Sequence, residues 1–343
     1  MKKFYPLSLL VALYAFAHTS CTKIADQPKP VTDSTKTLSE ISLRDTLTMY
    51  TGQAVQLDVK VRPINFDTTK LVWLSSDTSI ITVSKLGRIE AKGEGNAKVS
   101  VSNAEKTKSI SCIVTVKDSL KVGLIAYYPF GANTSDVSGN SNNGSGYNLT
   151  QVADRFGNAN SAYYFNGFNS YIVVKDKQTL RLSHTDFTIT TWVKLDAYNN
   201  SFASQIIAKR LPGLGNGWNL SISGYDFVST GQGGLGLVTF NEGASPLTIL
   251  TSGAVALNNW HMVTSVYNYT THTLSLYIDG VKDSTFDGFP SPNITIAADA
   301  YIGKDNPDVP SPGYFLKGAL DDMRLYDRVL SDKEIKKLYT AIH

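Results

Sequence analysis

At 343 residues the chain is long for one domain and comfortable for two. Its 32 basic and 29 acidic residues leave a formal charge of +3 without a dense Lys/Arg block, which argues against nucleic acid as a partner. Apolar residues make up 42% and aromatics 10%, with 18 Tyr and 14 Phe against 4 Met, a balance that suits half-buried strands better than helix bundles.

Lys2 and Lys3 precede an apolar run over residues 4–17 that is too short to span a bilayer as a permanent helix, so residues 1–20 read as an export signal. The run ends in His18-Thr19-Ser20-Cys21. Small residues before a cysteine resemble the lipobox of bacterial lipoproteins, and the resemblance implies lipidation at Cys21 and a membrane partner reached through the lipid. The expected location is the outer membrane, on its periplasmic or cell-surface face. An ordinary secretory leader followed by an incidental cysteine is the alternative. Residues 21–39 are rich in Lys, Asp, Pro, Ser and Thr and cannot bury enough surface to fold alone, so they form a tether.

Between residues 40 and 118, short alternating runs recur, such as Val55, Leu57, Val59 and Val61, separated by Gly and Asp/Ser turns. That pattern predicts a small β-sandwich. Val72-Trp73-Leu74-Ser75-Ser76-Asp77, Ile81-Thr82-Val83, Gly87-Arg88-Ile89, Gly95-Asn96-Ala97 and Cys112-Ile113-Val114-Thr115-Val116 resemble the group-two bacterial immunoglobulin-like domain. The resemblance implies Trp73 as the core aromatic and a spacer role. Cys112 alternates with apolar residues and reads as a small core side chain.

From residue 121 onward many short strands follow at regular spacing with turn residues between them, the signature of a sandwich or jelly roll. Ala162-Tyr163-Tyr164-Phe165-Asn166-Gly167, Phe187-Thr188-Ile189-Thr190-Thr191-Trp192-Val193, Asn259-Trp260-His261-Met262-Val263, Leu274-Ser275-Leu276-Tyr277-Ile278-Asp279-Gly280 and Gly318-Ala319-Leu320-Asp321-Asp322-Met323-Arg324-Leu325-Tyr326 stand in an order that resembles the laminin-G-like, concanavalin-type jelly roll over residues 121–343. One helix closes the chain. Ser331 is its N-cap, Glu334 completes a capping box and Leu330 staples to Ile335. The whole is expected to be all-β, a small immunoglobulin-like sandwich followed by a larger jelly roll.

The superfamily includes glucanases, which need two carboxylates flanking a scissile bond. Within residues 121–343 the only glutamates are Glu242, in a turn, and Glu334, already a helix cap. Asp321 and Asp322 point to opposite faces if their strand is regular. Catalysis is therefore not expected. No serine-centred elbow accompanies the histidines; His261 is expected as a strand residue with satisfied ring nitrogens, and His184 and His272 as solvated turn residues.

The family resemblance implies one structural calcium ion, with Asp136 and Asp321 as ligands by position and Asn166 where relatives often carry an acid. The alternative is that Asp136 caps a turn and Asp321 pairs with a basic neighbour such as Arg324. Glycan binding needs exposed aromatics with amide or carboxylate partners. Trp192, Trp218 and Trp260 are expected in the core, leaving Tyr147, Tyr198, Tyr225, Phe289 and Tyr314 in loop-like segments. Tyr198 with Asn199 and Asn200, and Tyr314, are the candidates selected. The expected partner is a glycan or glycoprotein; a protein-binding adhesion module and a hydrolase with an unconventional site remain alternatives, since fold alone does not choose.

Overall fold

The computed structural model describes residues 36–199, 203–211, 216–224, 234–240, 247–292, 297–305 and 314–341. Cys21, Asn200 and Tyr225 lie outside the described residues. The chain divides into two compact units, one ending at Val116 and one beginning at Lys117.

The first unit is a β-sandwich. A four-stranded sheet runs in the order Thr46–Tyr50, Ser109–Lys117, Gly95–Ser102, Val72–Ser75, and a three-stranded sheet in the order Ala54–Gln56, Arg88–Ala91, Ile81–Val83. Alternation drives the pairing: in Arg88–Ala91, Ile89 and Ala91 are buried while Arg88 and Glu90 are exposed. Trp73 sits in the core with Met49, Ile89, Val101, Cys112 and Val114. Burial pushes the Cys112 thiol up. Gly87 has φ +81°, and a Cβ there would lie 2.6 Å from the Trp73 ring, so the turn needs glycine both for its backbone and for the close approach.

The second unit packs two antiparallel sheets face to face. The eight-stranded sheet runs in the order Thr150–Val152, Ala162–Asn166, Lys317–Tyr326, Phe187–Ala197, His261–Asn268, Thr273–Ile278, Val281–Phe286, and Leu124–Tyr128 also pairs with Lys317–Tyr326. The seven-stranded sheet runs in the order Gly144–Tyr147, Tyr171–Val174, Ala300–Ile302, Ala203–Leu211, Asn216–Ser223, Gly234–Phe240, Leu247–Ala254. Between them lies one apolar core that includes Phe165, Ile189, Ile207, Trp218, Leu220, Val263, Leu276 and Leu320.

The helix Asp332–Thr340 begins at Ser331 with the predicted capping box, both of its hydrogen bonds being present. Leu330, Ile335 and Leu338 pack on Trp192, Met262, Val266, Tyr277 and Tyr326, and Tyr339 stacks on Trp192 with ring centres 5.5 Å apart. Trp192 is thus buried as expected, but under the helix on the outer face of the eight-stranded sheet and not between the sheets.

Candidate functional site

The residues expected to hold calcium are engaged by three separate sets of donors. Asp136 Oδ1 accepts the amides of Tyr127 (2.9 Å) and Ser138 (2.8 Å), and Oδ2 accepts the amide of Asn142 and the hydroxyl of Ser138, both at 2.9 Å. Asn166 Oδ1 accepts the amides of Phe168, Asn169 and Ser170 and fastens a turn. Asp321 is already paired with Arg155, at 2.7 Å. Asn142 Oδ1 is buried without a hydrogen-bond partner among the described residues, but one amide oxygen falls far short of the roughly six to eight oxygens that calcium takes. The donor set does not fit a calcium ion, and the chelation reading gives way to turn caps and an ion pair. Thermal melts in excess chelator and in millimolar calcium should therefore give the same midpoint; a calcium-dependent rise would restore the ion.

Asp321 and Asp322 correct a second expectation. The pairing register shifts where Lys317–Tyr326 meets Phe187–Ala197, between Thr190 and Trp192, and Asp322 has φ +49°. This bulge breaks the alternation that would send the two side chains to opposite faces. Arg155 pairs with Asp321 Oδ2 at 2.7 Å and with Asp322 Oδ2 at 2.8 Å, so the expected Arg324 partner falls to Asp322 instead, at 3.4 Å. The guanidinium lies over the rings of Phe156, at 4.4 Å, and Trp192, at 4.6 Å. Burial, reinforced by the negative Asp322 and opposed by Arg155, pushes the Asp321 carboxyl up to about 7.

His261 binds Asp279 through Nδ1 at 2.8 Å, while its Nε2 is buried without a partner among the described residues, so only one ring nitrogen is satisfied. His272, expected to be solvated, contacts the Tyr267 hydroxyl at 3.2 Å.

Of the loop aromatics, Phe289 is fully buried in the core between the sheets. Tyr198 packs against that core and donates its hydroxyl to Val255 O at 2.8 Å, which makes it a strut. Asn199 Nδ2 donates to Phe315 O at 3.0 Å, its amide donates to Ser204 Oγ, and Gln205 N donates to Tyr314 O at 3.0 Å. The structure therefore brings Asn199 and Tyr314 to the same end of the strand Ala203–Leu211. Asn199 acts there through its side-chain amide and its backbone N–H, and Tyr314 through its carbonyl, beside a side chain that the sequence did not single out, Gln205.

That side chain belongs to the outer face of the seven-stranded sheet. Leu220 and Ile222 point into the core, so Asn219, Ser221 and Ser223 point outward. Gln205 pairs with Ser221, Ala208 pairs with Asn219 on one side and Tyr301 on the other, and Tyr147 pairs with Tyr171. A register shift between Gln205 and Ile207 lets Ile206 and Ile207 both enter the core while Gln205 stays on this outer face. Ala208, itself fully buried, stands between Tyr301 and Asn219 on the neighbouring strands, with Arg210 two residues further along its own strand.

Gln205 is 0% exposed and Asn219 2%, yet both amide atoms of Gln205 and Oδ1 of Asn219 lack a hydrogen-bond partner among the described residues. Each such buried group costs about 1–3 kcal/mol unless a ligand or an ordered water meets it. Arg210 Nε donates to both carboxylate oxygens of the fully buried Asp305, at 2.8 and 2.9 Å. On the same face the rings of Tyr147 and Tyr171 stack at 4.7 Å, Tyr301 lies 6.4 Å from Tyr171, and the Lys304 ammonium sits 4.7 Å from the Tyr171 ring centre and 5.4 Å from those of Tyr301 and Phe315. Amides offer a donor and an acceptor together, and rings offer flat apolar faces. The combination suits a ligand dense in hydroxyls with apolar faces of its own. Polar residues alternating with core residues in Trp218-Asn219-Leu220-Ser221-Ile222 were visible in the sequence, but their burial was not.

A relative from Bifidobacterium bifidum, lacto-N-biosidase, is 38% identical over 76 residues, which are 22% of this chain and 7% of that protein. Domain 4 of the Geobacillus stearothermophilus arabinanase AbnA superposes with a TM-score of 0.50 at 21% identity, covering 63% of this chain and 98% of that one. The binding domain of Paraclostridial Mosquitocidal Protein 1 gives 0.50 at 20% identity, over 64% of this chain and 52% of that one, so the chain spans about half of that structure. Residues 39–114 match the bacterial Ig-like domain (group 2). Residues 165–336, half of the chain, match the concanavalin A-like lectin/glucanase family, and the chain belongs to that superfamily.

Proposed function

We propose that the second unit is a carbohydrate-binding module that holds its ligand on the outer face of the seven-stranded sheet. The observation that carries this reading is the group of Tyr147, 46% exposed, Tyr171, Tyr301 and Lys304 on that face, beside the buried amides of Gln205 and Asn219, which hold atoms without hydrogen-bond partners among the described residues. The arabinanase domain that shares the fold was solved in complex with arabinotriose, which supports the same chemistry. Binding without cleavage is the second part of the proposal. It is supported by the engagement of the adjacent pair Asp321 and Asp322, both buried and clamped by Arg155 on the other sheet, where they cannot flank a glycosidic bond as an acid and a nucleophile must.

An array of neutral and acidic polysaccharides, run beside a reducing-end assay on the same polymers, tests both parts. Retention without product supports the module; product from any polymer overturns the second part. Silence on the array, with capture of a protein free of glycan, would move the assignment to adhesion.

The remaining proposals concern delivery. Lipid on Cys21 anchors the chain to the outer membrane, residues 22–39 tether it, and the immunoglobulin-like unit acts as a spacer. The Cys21→Ser variant is expected in the soluble fraction after cell lysis; a variant that still sediments with membranes contradicts the anchor.

A further inference from the structure

We infer that the first unit pairs with a second copy of this chain through the free edge of the strand Val72–Ser75, which continues its four-stranded sheet across a two-fold axis. That strand lies at the end of the sheet, and Gly95–Ser102 is its only neighbour there among the described residues. The register decides what the free side offers. Ser76 donates its amide to Lys98 O at 2.9 Å, so in the alternation of an antiparallel ladder Leu74 and Val72 bond to Ser100 and Ser102. The N–H and C=O groups of Trp73 and Ser75 then point away from the sheet.

An open row of this kind is a template for another strand, and natural edges usually blunt it with charge, proline or a bulge. Val72-Trp73-Leu74-Ser75 carries none of these. Its pairing with Gly95–Ser102 runs without a register shift, and its outward side chains are Val72, 38% exposed, and Leu74, 54% exposed. On the other edge of the same sheet, Thr46–Tyr50 turns Thr46 and Thr48 outward and Met49 into the core. A second copy is the occupant that the free groups fit. With the two-fold axis at Leu74, Trp73 and Ser75 exchange both of their bonds with the partner's Ser75 and the partner's Trp73, and Leu74 meets the partner's Leu74 at the kind of pair where side chains approach most closely. The charges at the two ends match as well. Lys70, exposed, precedes the strand, and Asp77, whose carboxyl the Ser79 hydroxyl and amide hold below its usual range, follows it. Antiparallel pairing sets Lys70 beside the partner's Asp77 at both ends of the seam. The seam is short, so the association is reversible.

Sedimentation velocity of the full chain, carried from micromolar to millimolar concentration, tests the inference together with cysteine cross-linking. The mean mass should rise with concentration toward that of two chains. Leu74→Lys should weaken association at least tenfold without moving the melting midpoint, because the side chain is already half exposed. Leu74→Cys should link two chains by a disulfide under mild oxidation, since opposed residues at such a pair have Cα atoms about 4.5 Å apart. Val72→Cys should not, because the two copies of that residue stand about 14 Å apart along the seam. Cys112 is buried, and the wild type run alongside reports any link through the native cysteines. A dimer that forms equally well with Leu74→Lys, or that links through Val72→Cys and not through Leu74→Cys, would overturn the inference. A single-chain mass at every concentration, with no Leu74→Cys link, would overturn it too and leave the edge to a strand of a different protein.

Discussion

Arg155→Ala is expected to cost the second unit about 3–5 kcal/mol at pH 8, the usual consequence of leaving a buried charge without its partner. The side chains of Arg155, Asp321 and Asp322 are only 4–6% exposed, so water cannot take over the missing ion pairs. For a unit of this size the loss lowers the melting midpoint by on the order of 10 °C. A change under about 2 °C would show that the clamp is energetically idle.

The loss should shrink in acid, because the Asp321 carboxyl, pushed up to about 7, can then take a proton and need no partner. The sign for the native protein follows from the same shift. In the unfolded chain the group titrates near its ordinary value of 3.8, so between about pH 4 and pH 7 the native state binds a proton that the unfolded state does not. This group's stabilising contribution is full below that window and is lost as pH rises through it. Asp321→Asn should remove that slope, so the variant gains on the wild type as pH climbs from 4 to 7. Parallel melting curves for the two proteins would contradict the assignment.

Gln205→Met is expected to separate stability from binding. Methionine is close to glutamine in shape but has no amide, so the substitution removes two orphaned polar atoms from a fully buried position. Replacing a buried, unsatisfied polar group by an apolar one of similar shape should stabilise the unit by about 1–3 kcal/mol. The same change removes a donor and an acceptor from the ligand face. Affinity for the polysaccharide that binds most strongly should fall at least tenfold, which corresponds to about 1.4 kcal/mol. A variant that melts lower than the wild type and binds as well would mean that the amide is structural.

The architecture was legible because alternation and turn chemistry agree with each other along the chain. In Arg88–Ala91 the burial follows the pattern residue by residue, and the helix starts at Ser331 with the predicted reciprocal bonds. Legibility failed where one residue breaks a period. Perfect alternation sends Asp321 and Asp322 apart, but the bulge and the positive φ of Asp322 turn both toward Arg155, a residue 166 positions away from Asp321 that no local pattern links to them.

The site shows a different limit. Loop position drew attention to Tyr198, which turned out to be a strut hydrogen-bonded to Val255 O. Strand position hid Tyr171, Tyr301, Gln205 and Asn219, because polar and aromatic residues on an outward face look like ordinary surface. Whether an outward side chain is buried depends on segments far away in sequence. The unpaired state of a buried amide can only be seen in three dimensions.

The most direct test of the central claim is hydroxyl-radical footprinting of the full chain, read by mass spectrometry with and without the polysaccharide retained best on the array. Tyr147, Tyr171 and Tyr301 on the seven-stranded sheet should lose oxidation when the ligand is present. Phe156, 45% exposed beside the eight-stranded sheet, should be oxidised equally in both samples. Protection of Phe156 with the three tyrosines unchanged would contradict the account.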